Sequence, residues 1–434
     1  MAQRLFSPPT MGKAANEWEA RSLRSILGPR SERNRPDLPL LSVARERGVF
    51  VRSVDDANHN AIPEDLTNYK IARKGDLVVN KMKAWQGSLG LAPVDGIVSP
   101  AYFVFETDFA VPRYGEYLLR SKPYVAKFGA ASDGVRIGQW DLNIPRMRDI
   151  EVYLPPAEGQ AAIVKYLAHA NARIDKAITA KRRLIALLDE QKRSIAAEKF
   201  TEGGSSRPLG GMDERYGVPP IPLGWTSVRT GRLCRISTGF EDSGNANADG
   251  AYPFYVRGRE ILRADNYLFD TEAVMTPGDG QGGVGKVFHY FQGRFQVHQR
   301  VYVLHDFKQV EAKYFYWYMS TFFRAFALSQ SNTVTMESLR RPVLASFPVL
   351  IPGPGDQARI VKEIEAAVSV VGKQVGVAKR EIALLQEFRT RLVADVVTGQ
   401  VDVRAIAAAL PESFNNEVSA TDDDLQEALS EGEE

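Results

Sequence analysis

The stretch GDGQGGVGK at 278–286 has the glycine density of a phosphate-cradling loop but not its order. Val287 follows Lys286 where such a loop needs a metal-binding hydroxyl, which argues against nucleotide hydrolysis. His59, His169, His289, His298 and His305 show no metal-ligand spacing, and no cysteine cluster accompanies them. The single cysteine, Cys234, rules out an intramolecular disulfide and reads as a buried thiol or a near-surface spectator rather than a nucleophile. No serine, histidine and aspartate fall into a recognisable triad pattern. The sequence therefore predicts no catalytic, cofactor-binding or metal site.

Nucleic-acid recognition is better supported. Base edges in duplex DNA are read by Arg, Lys, Gln and Asn side chains, and phosphates are held by Lys, Arg and free backbone N–H groups. NKMKAWQGSLG at 80–90 places Lys81, Lys83, Trp85 and Gln86 in a glycine-bounded segment. Arg136, Gln139 and Trp140 form a second candidate patch. In the other half of the chain, Gln281 and Lys286 bracket glycines, and Arg294, His298, Gln299 and Arg300 follow, with Arg257 and Arg259 adding charge. Each of these residues also has an ordinary reading as solvated charge or fold-stabilising polar group, and Trp85 is read either as a base contact or as a loop anchor.

The elements that would carry these patches come in two copies. LPPAEGQAAIVKYL from Leu154 and IPGPGDQARIVKEI from Ile351 are offset by 197 residues, and the offset holds without a gap. Pro155 matches Pro352, Gln160 matches Gln357, and Arg183 matches Arg380. Apolar positions such as Ile163, Leu167, Leu184 and Leu188, and Ile360, Ile364, Leu385 and Leu392, recur at steps of three and four. That period lines one helical face and suits a coiled-coil seam. Prolines lie just upstream, where they do not damage a helix. Each copy predicts a helix of about 60 Å at ~1.5 Å per residue, too exposed to stand alone, so the two are expected to pair, with antiparallel packing making a rigid spacer. Gly372 and Gly376 weaken the second locally and could bend it.

Before each helix lie short β-branched and aromatic runs punctuated by glycine, as in GDLVVN and GKVFHYFQG, which predict compact mixed α/β domains. YFYWYMSTFFRAFALS at 314–329 is an aromatic-rich helix candidate. A length of 434 residues, 44% of them hydrophobic, allows about two to four domains with sizeable cores. The formal net charge of +2 hides an acidic terminus from Asp422 to Glu434, without which the body is distinctly basic. No apolar run approaches a membrane span and the N-terminus lacks a signal-peptide pattern, so a cytoplasmic location is expected.

With these motifs assembled, the chain resembles the specificity (S) subunit of type I restriction-modification enzymes from about Trp18 to Val403. The ordered helix pair carries the resemblance, together with the ending LVADVVTGQVDV at 392–403, the entry IPLGW at 221–225, and the central segments GDLVVNKMKAWQGSLG and GGVGKVFHYFQGRFQVHQRVYVL. The resemblance implies an α+β fold with internal pseudo-two-fold duplication. Two mixed α/β target-recognition domains would be separated by two long helices packed as an antiparallel coiled coil.

The expected division is a first recognition domain at 1–153, the central helix at 154–200, linker and second recognition domain at 201–350, the distal helix at 351–410, and an acidic disordered tail at 411–434. The duplicated framework does not require that tail, which could be solubilising or could cover a basic surface. Each domain would read one half of a bipartite DNA site, while the helices set the spacing and dock two adenine methyltransferase (M) subunits. Motor-nuclease (R) subunits would complete the restriction enzyme. S-adenosylmethionine, ATP and Mg2+ would belong to those partners, leaving this subunit non-catalytic.

The DNA contacts expected on this reading are Lys81, Lys83, Trp85, Gln86, Arg136 and Gln139 in the first domain, and Gln281, Lys286, His298, Gln299 and Arg300 in the second. Helix packing falls to Ile163, Leu167, Leu184, Leu188, Ile360, Ile364, Leu385 and Leu392. The rival reading is a non-DNA helical scaffold whose globular halves bind proteins. A lone nucleotide-directed enzyme comes third.

Overall fold

A computed structural model describes residues 18–45, 47–52, 65–134, 140–201, 206–207, 220–279, 284–330, 338–353 and 355–411. The chain divides into two compact units. The first comprises residues 1–178 with 383–415, and the second comprises 179–382 with 416–434. The acidic terminus lies outside the described residues. The architecture is α+β, with a mixed sheet region in each unit and two long helices, Ala157–Thr201 and Asp356–Val397.

In the first unit a four-stranded antiparallel sheet has the order Leu27–Arg30, Tyr102–Thr107, Leu77–Asn80, Leu89–Leu91. The run Leu77, Val78, Val79 is apolar throughout because both faces of its strand are covered. Leu77 and Val79 face a core with Tyr114, Leu118, Tyr124 and Phe128 from the helices Pro112–Arg120 and Lys122–Ala130. Val78 turns to the opposite face and packs with Val104, Leu41, Val49 and Val98. The period-two alternation of strand side chains thus serves two cores from one short segment.

The second unit holds a six-stranded sheet ordered Arg235–Thr238, Val301–His305, Phe269–Pro277, His289–Val297, Tyr252–Tyr255, Ile261–Ala264. Only the pairing of Tyr252–Tyr255 with His289–Val297 is parallel. The aromatic run forms the helix Ala312–Ser329. Tyr314, Tyr318, Phe322 and Phe326 lie at steps of four along it, and all are buried. Phe200, near the end of the central long helix, meets the rings of Tyr314, Tyr318 and Phe322 at 5.3, 5.2 and 5.7 Å.

The same local frame occurs in each unit. Strand Glu19–Ser22 pairs antiparallel with Glu151–Leu154, and Thr226–Arg229 pairs antiparallel with Pro348–Ile351. A single helical turn follows the first strand in both cases, Leu23–Ile26 and Thr230–Leu233. Its first N–H donates to Ile150 in one unit and to Phe347 in the other, each at 2.9 Å. Tyr114 Oη donates to the carbonyl of Tyr153, and Tyr314 Oη donates to that of Leu350.

A glutamine in the first turn of each long helix completes the frame. Gln160 accepts from Val111 N at 3.1 Å and donates to Pro155 O at 3.0 Å. Gln357 accepts from Glu311 N at 2.7 Å and donates to Gln309 O at 3.0 Å. The repeated glutamine therefore caps the backbone entering a preceding helix, which a helix start requires for its orphan N–H groups.

The long helices touch each other within each unit. In the first, Ile163 and Leu167 share a core with Leu392, Val396 and Val397, and Asp175 pairs with Arg389. In the second, Leu188 packs on Val371 and Val375, Lys181 pairs with Glu381 at 2.8 Å, and Ala196 and Phe200 share a core with Ile360 and Ile364. Of the residues expected to pack, Leu385 and Leu392 are half-buried. Leu184 is 41% exposed and lies on the solvent side, which corrects its placement on the seam. The distal helix runs without interruption through Gly372 and Gly376.

Candidate nucleic-acid interface

In the first unit, Asn80 ends a strand and its side chain accepts from Met82 N at 3.1 Å, turning the chain. Ala84–Gln86 then makes one 3-10 turn, closed by Gly87 in the left-handed region at φ 89°. Trp85 Nε1 donates to Met82 O at 3.0 Å, and its ring lies 5.2 Å from that of Trp140. Lys81 Nζ pairs with Asp141 at 2.6 Å, while Leu142 N donates to Lys81 O at 3.1 Å. The segment 81–86 thus meets Trp140 and Asp141 through Trp85–Trp140 and Lys81–Asp141.

Trp85 is half-buried and anchors the loop, whereas Met82 and Lys83 are exposed and Gln86 is half-exposed. Arg136 and Gln139 lie outside the described residues.

The second unit builds its surface around a turn at 298–300. His298 is 2% exposed; its Nδ1 accepts from Arg300 N at 3.0 Å. That bond leaves Nδ1 without a proton, and burial, followed by the charge of Arg257, pushes the ring's pKa below the usual histidine value. His298 is therefore a neutral bracket inside the turn, and its expected place as a surface contact is corrected.

Gln299 and Arg300 are exposed. Gln299 N donates to Glu241 O at 2.9 Å, and Gln299 Nε2 lies 3.5 Å from Asp242 Oδ2. Arg300 pairs with Asp279, and its carbonyl accepts from Gly278 N at 2.8 Å. Lys286 is half-buried just beyond Gly285, whose lack of a Cβ lets the backbone approach Arg324, where a Cβ would sit 2.9 Å from its Cα. Gln281 lies outside the described residues.

Other cations are partly committed elsewhere. Arg294 pairs with Asp270 at 2.9 Å and covers the Tyr267 ring at 5.0 Å. Arg259 pairs with Asp189 of the central helix at 2.9 Å. Sequence reasoning missed Phe240, which is 80% exposed beside the isolated bridge between Glu241 and His298. Gly239 must precede it, because a Cβ there would sit 1.9 Å from Val297 O. The signal was a lone aromatic in the turn-rich string STGFEDSG.

Cys234 is buried, and burial raises its pKa to about 12, which removes it from nucleophilic chemistry. Among the described residues no group of three or more His, Cys, Asp and Glu could hold a metal ion. Among them, too, no helix is long and apolar enough to cross a membrane.

A structure described as the basis of complex assembly and conformational transition of the type I R-M system has a chain similar to this one. It matches with a TM-score of 0.50 at 16% identity, over 91% of this chain and 100% of that one. The HsdS subunit from Thermoanaerobacter tengcongensis aligns at 16% identity over 91% of this chain and 99% of its own, with a TM-score of 0.39. The first likeness is one of fold alone.

Residues 222–369 match the family model for the type I restriction modification DNA specificity domain. The specificity subunit of the Escherichia coli type I restriction enzyme EcoDI is 24% identical over 181 residues, which are 42% of this chain and 39% of that subunit's length. Over these stretches the chain is similar to type I restriction-modification specificity subunits, and the match spans well under half the length of that curated relative.

Proposed function

We propose that this chain is the non-catalytic, sequence-reading subunit of a type I restriction-modification complex. Each unit reads one half of a bipartite duplex site. The two helices, packed as an antiparallel coiled coil, set the spacing between half-sites and dock two adenine methyltransferase subunits. Motor-nuclease subunits join the full complex, and S-adenosylmethionine, ATP and Mg2+ act in those partners. In catalysis the subunit's part is placement: it delivers the target adenine to a methyltransferase that extrudes the base.

The observation that carries this reading is one frame bearing two different surfaces. The strand pair, the single helical turn, the tyrosine and the helix-capping glutamine recur in both units. By contrast, the cation-bearing loops 80–88 and 298–300 differ in sequence and in construction. A duplicated frame with unlike loops is what reading two unlike half-sites requires. Descending partners along the distal helix, Arg389 and Glu381 against Asp175 and Lys181, support the antiparallel pair. Exposed Leu187, Val370, Val377, Leu384 and Phe388 give the helices apolar positions for a docking subunit. The division into domains at 153, 200, 350 and 410 follows from the same scheme.

Methylation mapping on a randomised DNA library, with the chain and its methyltransferase partner co-expressed, tests the proposal. The expected product is one bipartite motif. Four residues inserted beside a long helix should change the gap and neither half-site; an unchanged gap refutes the spacing role. Absence of any bipartite motif refutes DNA reading altogether.

A further inference from the structure

Arg300 is set apart from the other cations of its unit by how it is held. Its N–H donates to the buried ring of His298 at 3.0 Å, and its C=O accepts from Gly278 N at 2.8 Å, so its backbone is fixed on both sides. Gly278 is itself tied down, because its carbonyl accepts from Leu339 N at 2.6 Å. The next residue, Asp279, is bonded to Arg300 Nη1, and Asp279 Oδ1 lies buried without a hydrogen-bond partner among the described residues. A carboxylate with one orphaned oxygen depends on its cation, so the pair holds together. The Arg300 side chain is nevertheless 60% exposed.

Guanidinium has five donors in a planar fork, and the bond through Nη1 leaves the Nε–H and Nη2 edge without a partner among the described residues. An oriented pair of parallel donors matches the O6 and N7 acceptors of guanine in the major groove. The Asp279 carboxylate also offsets the net charge, which weakens attraction to a phosphate but leaves the paired donors intact. Arg294 contrasts with this, since Asp270 takes its Nε and Tyr267 covers its face. Lys81 contrasts as well, because an ammonium held by Asp141 has no planar edge to present.

We infer that Arg300 reads a guanine in the half-site of the second unit, with Asp279 as the positioning residue that aims it. The inference rests on the proposal that this unit reads DNA, and it adds which side chain touches a base and which base that is. Gln299, exposed on the same turn, is then placed to meet the neighbouring base pair or its backbone.

The test uses the complex of the chain with its methyltransferase partner on the motif found for the unaltered complex. Arg300→Ala should make one G·C position of one half-site degenerate and weaken cognate binding roughly 5- to 150-fold. Affinity for unrelated DNA and the dependence on salt should stay as they were. Asp279→Asn, which keeps the shape but loses the charge, should relax the same position with the thermal midpoint of the Arg300→Ala variant or above.

Equal weakening on all sequences, with the salt slope reduced by about 1, would make Arg300 a phosphate contact and overturn the inference while leaving DNA reading intact. Loss of discrimination at an A·T position would overturn the guanine assignment. An unaltered position in Asp279→Asn would overturn the role of Asp279. A wild-type complex without any bipartite motif would instead overturn the underlying proposal.

Discussion

Replacing Gln160 and Gln357 one at a time by leucine should separate two outwardly equivalent residues. Gln160 is 3% exposed, and its amide closes bonds to Val111 N and Pro155 O. Leucine has nearly the same volume but can do neither, which leaves one buried donor and one buried acceptor. Each such loss costs about 1–3 kcal/mol; with the added apolar burial as an offset, the net is about 2–4 kcal/mol. For a unit of this size that lowers the thermal midpoint by about 4–16 °C.

Gln357 makes the matching bond to Glu311 N and donates to Gln309 O, but near the surface, where water replaces a lost partner. Its loss should cost about 0.5–1.5 kcal/mol. Thermal unfolding reads the difference, and amide hydrogen exchange at Val111 and Glu311 assigns it to the right unit. If Gln357→Leu cost as much as Gln160→Leu, or more, burial would not be what sets the value of this cap.

Acid should weaken the second unit. Burial holds the pKa of both His289 and His298 below the ordinary value near 6.5. As pH falls through that value, the unfolded chain gains protons that the folded chain does not, so stability present above it is lost between it and the lowered folded values. Thermal midpoints from pH 7.5 to 5.5 should fall, and His298→Asn should flatten the slope; an unchanged slope removes His298 from the cause. On the helices, Leu167→Ala should cost about 2–5 kcal/mol, since the side chain is fully buried, while Leu184→Ala should cost less than about 1 kcal/mol. Urea midpoints reporting equal losses would contradict the observed burial.

The repeat and its period carried the long helices into view, because a face that recurs every three to four residues has one efficient way to bury itself. The prolines just upstream marked where those helices begin. The seam was harder to assign: Leu184 fits the period yet faces solvent, since a step of three or four tolerates more than one face over so many turns. The loops were legible as polar surfaces but not as geometry. Nothing in the string NKMKAWQG says that Lys81 meets Asp141, sixty residues away, or that Trp85 lies against Trp140.

His298 shows the limit most clearly. A histidine followed by glutamine and arginine reads as three surface donors, but the turn folds the first inward and spends its Nδ1 on the backbone of the third. Local period and spacing therefore determined the helices, the duplication and the absence of a nucleotide-loop order, because these are set by neighbours along the chain. Which cation is free, which is paired and which histidine is buried was decided only in three dimensions. Those properties depend on contacts between residues such as Asp279 and Arg300, brought together by the sheet and not by sequence.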